Sequence, residues 1–149
     1  MTFSCPALPC QIHATCVAVD ESGLLIVGHS GAGKSALALQ LMAFGAELVA
    51  DDRCELSDSS LGVMARRPDK LPEAIEARGM GVLSAPCRGP VMIAAIVDLD
   101  CTVQSRLPSS SEVQLGDHLV RRLSSFDAPH MPAALFHFLK HGFHGSMGA

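Results

Sequence analysis

A glycine-rich run between two apolar segments constrains the fold of this chain more than any other feature. The run matches the pattern Gly-x-x-x-x-Gly-Lys-Ser and consists of Gly28, His29, Ser30, Gly31, Ala32, Gly33, Lys34 and Ser35. Glycines allow a backbone to turn so that its N–H groups point at phosphate oxygens, and a helix beginning there adds the partial positive charge of its N-terminus. We therefore predict that these eight residues bind nucleotide phosphates, with Lys34 at the β- and γ-phosphates and Ser35 on Mg²⁺.

The segments on both sides of the run support this prediction. Residues 24–27 are all apolar, as expected of a strand buried on both faces. Residues 34–44 are predicted to form a helix, with Leu37, Leu41 and Phe44 on one face and Gly45 after the last turn. This context distinguishes a phosphate loop from an ordinary glycine-rich turn between a strand and a helix.

The rest of the chain predicts a single α/β domain over residues 1–149, with helices packed on a mixed β-sheet. Further strands are expected at 11–19, 47–50, 80–83 and 91–99, and a hairpin at 53–56 and 61–65. Further helices are expected at 71–77, where Pro72 suits the first turn, and at 133–141. The stretch 107–132 has no readable pattern.

Composition excludes several classes of function. The net charge is −4 and no run of Lys and Arg exists, so nucleic acid is not an expected partner. No stretch approaches the roughly 18 to 20 apolar residues of a membrane span, and the N-terminus lacks signal-peptide character, so we expect a cytoplasmic protein. Charged residues make up only 17% of the chain, which favours burial of part of the surface by other subunits. The six cysteines lack zinc spacing and are expected to be reduced thiols.

A phosphate loop that catalyses phosphoryl transfer needs a carboxylate, and two strand ends offer one. Asp51 and Asp52 follow the strand at 47–50, and Asp98, with Asp100, follows the apolar residues 92–97. Either position satisfies the general requirement. The adjacent pair is more suggestive, because neighbouring carboxylates repel and one then holds its proton more tightly, as acid/base work on a hydroxyl requires.

Three motifs together resemble the HPr kinase/phosphorylase family. His13 precedes the phosphate loop, which is followed by Val49-Ala50-Asp51-Asp52-Arg53 and by Ile75-Glu76-Ala77-Arg78-Gly79-Met80-Gly81. The family pattern is His-Gly, G-x-S-G-x-G-K-S, V-A-D-D-R and L-E-[IV]-R-G-L-G, in the same order. The resemblance covers residues 12–107 and is far more specific than the phosphate loop alone.

The resemblance implies a fold similar to the HPr kinase C-terminal domain and an enzyme that phosphorylates a serine on an HPr-like phosphocarrier protein with ATP and Mg²⁺. It also implies the reverse reaction with inorganic phosphate, and a homo-oligomer, by family a hexamer. Lys34 would hold nucleotide phosphates, while Ser35 and Glu76 would hold Mg²⁺. Asp52, with Asp51 as second choice, would take the proton from the target serine.

Two further residues are implied by the same resemblance. His13 would lie beside the proton-accepting carboxylate, and Arg106 resembles a later catalytic arginine of the family. A structural His and a solvated Arg are the alternatives for these two positions, and an ion pair is the alternative for Glu76 with Arg78.

The sequence also departs from the family pattern. Only twelve residues precede His13, as in short members without a regulatory domain, and Ala14 replaces the glycine after the His. Residues 84–90 replace a longer loop, and the segment after Arg106 does not match the region linked to dephosphorylation, so kinase activity is favoured over phosphorylase activity. A nucleotide-sensing regulator with weak or no kinase activity is the main alternative. A small-molecule P-loop kinase would leave the second and third motifs unexplained.

Overall fold

The computed structural model describes Cys5, residues 7–106 and residues 111–145. These residues form eleven strands and two helices, and most of the regular structure is strand. In chain order the elements are β1 Cys10–His13, β2 Thr15–Val19, β3 Ser22–Val27, α1 Lys34–Phe44, β4 Glu47–Ala50, β5 Arg53–Asp58, β6 Val63–Arg66, β7 Ala74–Ala77, β8 Gly81–Ser84, β9 Val91–Thr102, β10 Ser111–Leu115, β11 His118–Ser125 and α2 Met131–His141.

Nine of the strands form one mixed sheet, as the sequence predicts. The strand order is β1-β5-β6-β9-β3-β2-β4, and the β10–β11 hairpin joins through β11 beside β9. The pairs β3–β9 and β9–β11 are parallel and the others are antiparallel. Because β4 and β3 are both antiparallel to β2, the carboxyl ends of β3, β4 and β9 lie at the same edge of the sheet. The glycine-rich run and the two candidate acidic segments are therefore gathered at one edge.

Apolar side chains fill both faces of this sheet. On one face, Leu24 and Ile26 of β3 pack with Leu37 and Leu41 of α1 and with Leu135 of α2. On the other face, residues of the central strands pack with β5, β6, β10 and β11, so the strands cover a second core without any helix. Burial on both sides explains why residues 24–27 of β3 and 95–97 of β9 are all apolar.

The predicted strand, loop and helix around the glycine-rich run are confirmed. Helix α1 begins at Lys34 and ends at Phe44. The N–H groups of Gly45 and Ala46 donate to the carbonyls of Met42 and Leu41, each at 3.0 Å, which closes the last turn. Phe44 differs from the prediction, because its side chain is 52% exposed and contacts Phe136 of α2 instead of the sheet.

Two predicted elements are wrong. Residues 71–77 do not form a helix: Ala74–Ala77 is strand β7, which pairs with β8 to form a separate two-stranded sheet. Residues 11–19 are two strands and not one, because β1 pairs with β5 whereas β2 pairs with β3 and β4. The buried Ala14 lies between them, and its N–H donates to the Asp52 carbonyl at 3.2 Å. The second error arises from pairing between distant segments, which local patterns do not contain. The first arises because pairing with the neighbouring strand β8 overrides the helical pattern of residues 71–77.

Three smaller points complete the comparison with the sequence. The stretch 107–132 contains β10, β11 and the start of α2, while Leu107 and Pro108 lie outside the described residues. Cys5 and Cys10 form a disulfide, so the expectation that all six cysteines are reduced is wrong for this pair; the other four are free. Within the described part of the chain, neither helix is long and apolar enough to span a membrane.

Candidate phosphate-binding site

A pocket of about 440 Å³ opens at the edge of the sheet where β3 and β4 end. The phosphate loop, the residues after β4 and the β7–β8 hairpin form its walls. Its lining residues are Thr15, Ser30, Gly31, Gly33, Lys34, Ser35, Ala36, Asp51, Asp52, Leu71, Pro72, Ala74, Glu76, Arg78 and Val82. Three segments that are distant in sequence therefore meet in one concave site.

The phosphate loop has the backbone conformation that its glycines allow. Gly31 and Gly33 have φ angles of 88° and 101°, in the left-handed region that disfavours any residue with a Cβ. Lys34 Nζ donates to the carbonyl oxygens of Gly28 and His29, at 2.8 and 3.1 Å, so its ammonium lies against the loop. A cation, an inward-turned loop and the N-terminus of α1 together provide a site for anionic oxygens.

Asp51 is held in place by three hydrogen bonds. Its Oδ1 accepts from the Ser35 hydroxyl at 2.7 Å and from the Thr15 hydroxyl at 2.9 Å, and its Oδ2 accepts from the Glu76 N–H at 3.1 Å. These contacts tie α1, β2 and β7 to the end of β4. The carboxylate therefore fixes the orientation of the Ser35 hydroxyl, whose oxygen keeps lone pairs for a cation.

Asp52 has a different environment. Its φ is 69°, and the Arg53 N–H donates to the Asp51 carbonyl at 2.8 Å, which makes Asp52 the central residue of a γ-turn with positive φ. Such a conformation is strained for a residue with a side chain, and strain of this kind is concentrated at functional sites. The Asp52 carboxylate lines the pocket and has no hydrogen-bond partner among the described residues, so its oxygens are accessible to a ligand.

The β7–β8 hairpin contributes two charged side chains to the pocket. Glu76 and Arg78 both line it, on the side facing the phosphate loop. Arg78 Nη2 would lie 3.8 Å from a Cβ built on Gly31, so the guanidinium is close to the loop. No ion pair between Glu76 and Arg78 is found in the described part of the chain, and both groups are available to ligands.

His13 and Arg106 lie outside the pocket lining in the described residues. His13 ends β1 opposite Arg53, and the Asp52 carbonyl accepts from the next residue, Ala14, so His13 is a close neighbour of Asp52 along the backbone. Arg106 is exposed and follows β9 by four residues. The structure therefore brings the backbone of His13 near the carboxylate pair, whereas it does not place Arg106 in the pocket lining.

The second candidate acid, Asp98, is engaged elsewhere. Its side chain is 5% exposed, its Oδ2 lies 3.7 Å from Arg122 Nη1, and its Oδ1 accepts from the Asp100 N–H at 3.0 Å. Asp100 in turn accepts from the His29 N–H at 3.0 Å and contacts His29 Nδ1. The hydrogen bond from the His29 ring, followed by that from its N–H, holds the pKa of Asp100 below its usual value. Of the two alternatives left by the sequence, only Asp51 and Asp52 line the pocket.

Sequence reasoning gave no site role to two polar residues that line this pocket, Thr15 and Arg78. Thr15 is 1% exposed, lines the pocket and donates to Asp51. Its hydroxyl in an otherwise apolar strand was the available signal, but nothing local indicates a partner that is 36 residues away.

The side-chain oxygen atoms of this pocket are suitable ligands for a magnesium ion. Mg²⁺ prefers hard oxygen ligands, and it is usually held by one or two protein groups together with water and phosphate oxygens. The Ser35 hydroxyl, oriented by Asp51, and the Glu76 carboxylate are groups of this kind in one pocket. No set of three His, Cys, Asp or Glu side chains is placed to hold a metal in the part of the chain that the structure describes.

A strand, a glycine-rich loop with its lysine, a helix and a serine held by an aspartate at a neighbouring strand end define a site of the P-loop class. Comparison with known proteins gives the family. Residues 7–104 match the HPr serine kinase C-terminal domain family, so the chain belongs to that family.

Individual relatives agree with this assignment. The HPr kinase/phosphorylase of Aromatoleum aromaticum is 38% identical over 117 residues, which is 70% of this chain and 37% of that protein. That of Xylella fastidiosa is 32% identical over 126 residues, 79% of this chain and 40% of that protein. The chain thus spans less than half the length of these relatives. The Hpr(Ser) kinase/phosphatase structure from Coxiella burnetii has a TM-score of 0.73 at 20% identity, covering 87% of this chain and 88% of that chain, and shows the shared fold.

Proposed function

We propose that this chain is an ATP- and Mg²⁺-dependent serine kinase that acts on an HPr-like phosphocarrier protein. The observation that carries the proposal is the convergence of three segments on one pocket. The phosphate loop supplies Lys34, the turn after β4 supplies Asp51 and Asp52, and the β7–β8 hairpin supplies Glu76 and Arg78. Membership of the HPr serine kinase family supports the choice of reaction and of substrate.

In this proposal the phosphate loop binds the triphosphate. Loop N–H groups and the Lys34 ammonium hold the β- and γ-phosphates, and Arg78, whose guanidinium is close to Gly31, contacts the transferred group. Ser35 and Glu76 hold Mg²⁺, which when bound neutralises charge on the β- and γ-phosphates. Asp51 positions the Ser35 hydroxyl through its 2.7 Å hydrogen bond.

Asp52 is the proposed proton acceptor. The target serine oxygen attacks the γ-phosphorus, the bond from that phosphorus to the leaving oxygen of ADP breaks, and the serine proton passes to Asp52. Asp51 is less suited to this role because both of its oxygens already accept hydrogen bonds. His13 precedes Ala14, whose N–H donates a hydrogen bond to the Asp52 carbonyl. We propose that His13 assists the proton transfer from beside the Asp52 carboxylate. A catalytic role for Arg106, which does not line the pocket, remains a prediction.

The second candidate function is a nucleotide-sensing regulator. Such a regulator would bind ATP in the same pocket without transferring phosphate. The accessible Asp52 carboxylate in its strained turn favours the kinase, because ATP binding alone does not require it.

The experiment is incubation of the purified chain with ATP, Mg²⁺ and HPr-like carriers, followed by intact mass of the carrier. We expect one added phosphate on the carrier with wild type and none with Lys34→Ala. ATP binding by calorimetry without transfer to any carrier would favour the regulator. Undiminished transfer by Lys34→Ala would contradict the role of the phosphate loop.

A further inference from the structure

The phosphate loop is hydrogen-bonded to β9 through one carboxylate, that of Asp100, which accepts from His29. Asp100 accepts hydrogen bonds from the His29 N–H, at 3.0 Å to Oδ2 and 3.2 Å to Oδ1, and also contacts His29 Nδ1. The Asp100 side chain is 14% exposed, whereas that of His29 is 66% exposed. The contact thus joins the second residue of the loop to a largely buried group on a central strand.

The contact between His29 and Asp100 does not involve residues that line the pocket. Neither His29 nor Asp100 lines the pocket, although Ser30 and Gly31 do. The His29 N–H points to Asp100, so it is not among the loop N–H groups that are directed to phosphate. The prediction that His29 belongs to the nucleotide-binding residues remains a prediction, and the structure adds that its N–H has a protein partner.

Asp100 is itself held in place by a hydrogen bond within β9. Its N–H donates to Asp98 Oδ1 at 3.0 Å, and the buried Asp98 faces Arg122 of β11. The loop also approaches β9 closely, since a Cβ on Gly28 would lie 3.2 Å from the Leu99 Cβ and 3.6 Å from Asp100 Oδ1. A continuous set of contacts thus connects β11, β9 and the entry of the loop.

We propose that Asp100 is a positioning residue, which acts through His29 to hold the phosphate loop in its binding conformation. The loop needs such support because its glycines give it many conformations, and ordering them on binding would cost affinity. The functional part of this inference, tighter ATP binding, rests on the proposed function. The structural part, a more rigid loop, does not depend on it.

The first test measures the loop without nucleotide. Amide hydrogen exchange of a peptide covering residues 28–34 is compared in wild type, Asp100→Ala and Asp100→Asn. We expect exchange about tenfold faster in Asp100→Ala and a smaller change in Asp100→Asn, which keeps one oxygen to accept the His29 N–H. The control is Asp58→Ala, which removes another His–Asp contact, to His118 at 2.6 Å, far from the loop. Unchanged exchange in Asp100→Ala, or an equal increase in Asp58→Ala, overturns the proposal whether or not the chain binds ATP.

The second test measures ATP affinity by calorimetry in the same variants and in His29→Ala. We expect about tenfold weaker binding in Asp100→Ala, equivalent to about 1.4 kcal/mol, and a smaller loss in His29→Ala, which keeps the backbone contact. The double variant should bind no more weakly than Asp100→Ala alone, because both changes remove one interaction. Fully additive losses would show that Asp100 does not act through His29. Absence of ATP binding in wild type would contradict the proposed function, and the exchange result alone would then decide whether Asp100 holds the loop.

Discussion

Adjacent aspartates at the end of β4 have different chemistry because of their contacts. Asp51 accepts three hydrogen bonds, two of them from hydroxyls, whereas Asp52 is the centre of a turn with positive φ and faces the pocket. On an extended strand, neighbouring side chains point to opposite faces, but β4 has already ended at Ala50 and both residues line the pocket. The pair therefore separates into a carboxylate that orients Ser35 and one that is free for a substrate.

Glu76 is predicted to act through Mg²⁺. Glu76→Gln keeps the size of the side chain but removes its charge, so we expect about tenfold more Mg²⁺ to be needed for half-maximal ATP binding. Calorimetry with ATP over a series of Mg²⁺ concentrations measures this. Glu112→Gln on β10, outside the pocket, is the control and should leave the requirement unchanged. An unaltered requirement in Glu76→Gln would remove Glu76 from the metal site.

Arg78 is predicted to contribute to phosphate binding, because its guanidinium lies beside Gly31 of the loop. Arg78→Ala should weaken ATP binding about tenfold, the equivalent of one charge-assisted hydrogen bond. Arg66→Ala is the matched control, since Arg66 pairs with Glu55 and Asp69 and does not line the pocket. Equal affinities of the two variants would argue against a role for Arg78.

At the scale of elements, the position of the β7–β8 hairpin residues in the site depends on the turn that joins the two strands. Gly79 has a φ of 91°, which a residue with a Cβ adopts only with strain. Gly79→Ala should destabilise the turn by about 1 kcal/mol or more and misplace Glu76 and Arg78, which raises the KM for Mg-ATP. Steady-state kinetics with Tm as a second readout measures this. Gly89→Ala is the control, because a Cβ there has nothing within 4 Å and Gly89 has no positive φ. Unchanged kinetics in Gly79→Ala would contradict the functional importance of this hairpin.

The elements around the phosphate loop could be predicted from the sequence because their signals are local. The apolar β3, the glycines and the helix to Phe44 each have their pattern within a few residues. The β7–β8 hairpin could not be predicted in this way, because Pro72 and the run Glu73-Ala74-Ile75-Glu76-Ala77 also suit a helix. Only the pairing of β7 with β8 makes this segment a strand. The burial of Asp98 beside Arg122 likewise depends on a strand that the sequence left unassigned. Local patterns therefore predicted the phosphate loop and the elements next to it, whereas pairing between strands determined the rest of the arrangement.

At the scale of the whole molecule, we predict that copies of the chain associate. Charged residues make up 17% of the chain. Among the residues that the structure describes, six large apolar side chains are exposed, namely Phe44, Leu61, Met80, Val82, Leu119 and Phe143. Exposed apolar surface of this kind is often an interface. Light scattering at micromolar concentration with nucleotide present should give a mass above that of one chain. A monomer under these conditions would contradict the prediction.

The division of roles between Asp51 and Asp52 is tested most directly by single-turnover transfer at saturating Mg-ATP. The rate of carrier phosphorylation is measured for wild type, Asp52→Asn and Asp51→Asn, with ATP affinity determined in parallel by calorimetry. For Asp52→Asn we predict a rate lower by a factor of about 10² to 10⁴ with ATP affinity nearly unchanged, because the amide cannot accept the serine proton. For Asp51→Asn we predict weaker Mg-ATP binding, because the Ser35 hydroxyl loses its charged partner. Full transfer by Asp52→Asn would contradict its role as proton acceptor, and full transfer by both variants would exclude the pair from the reaction.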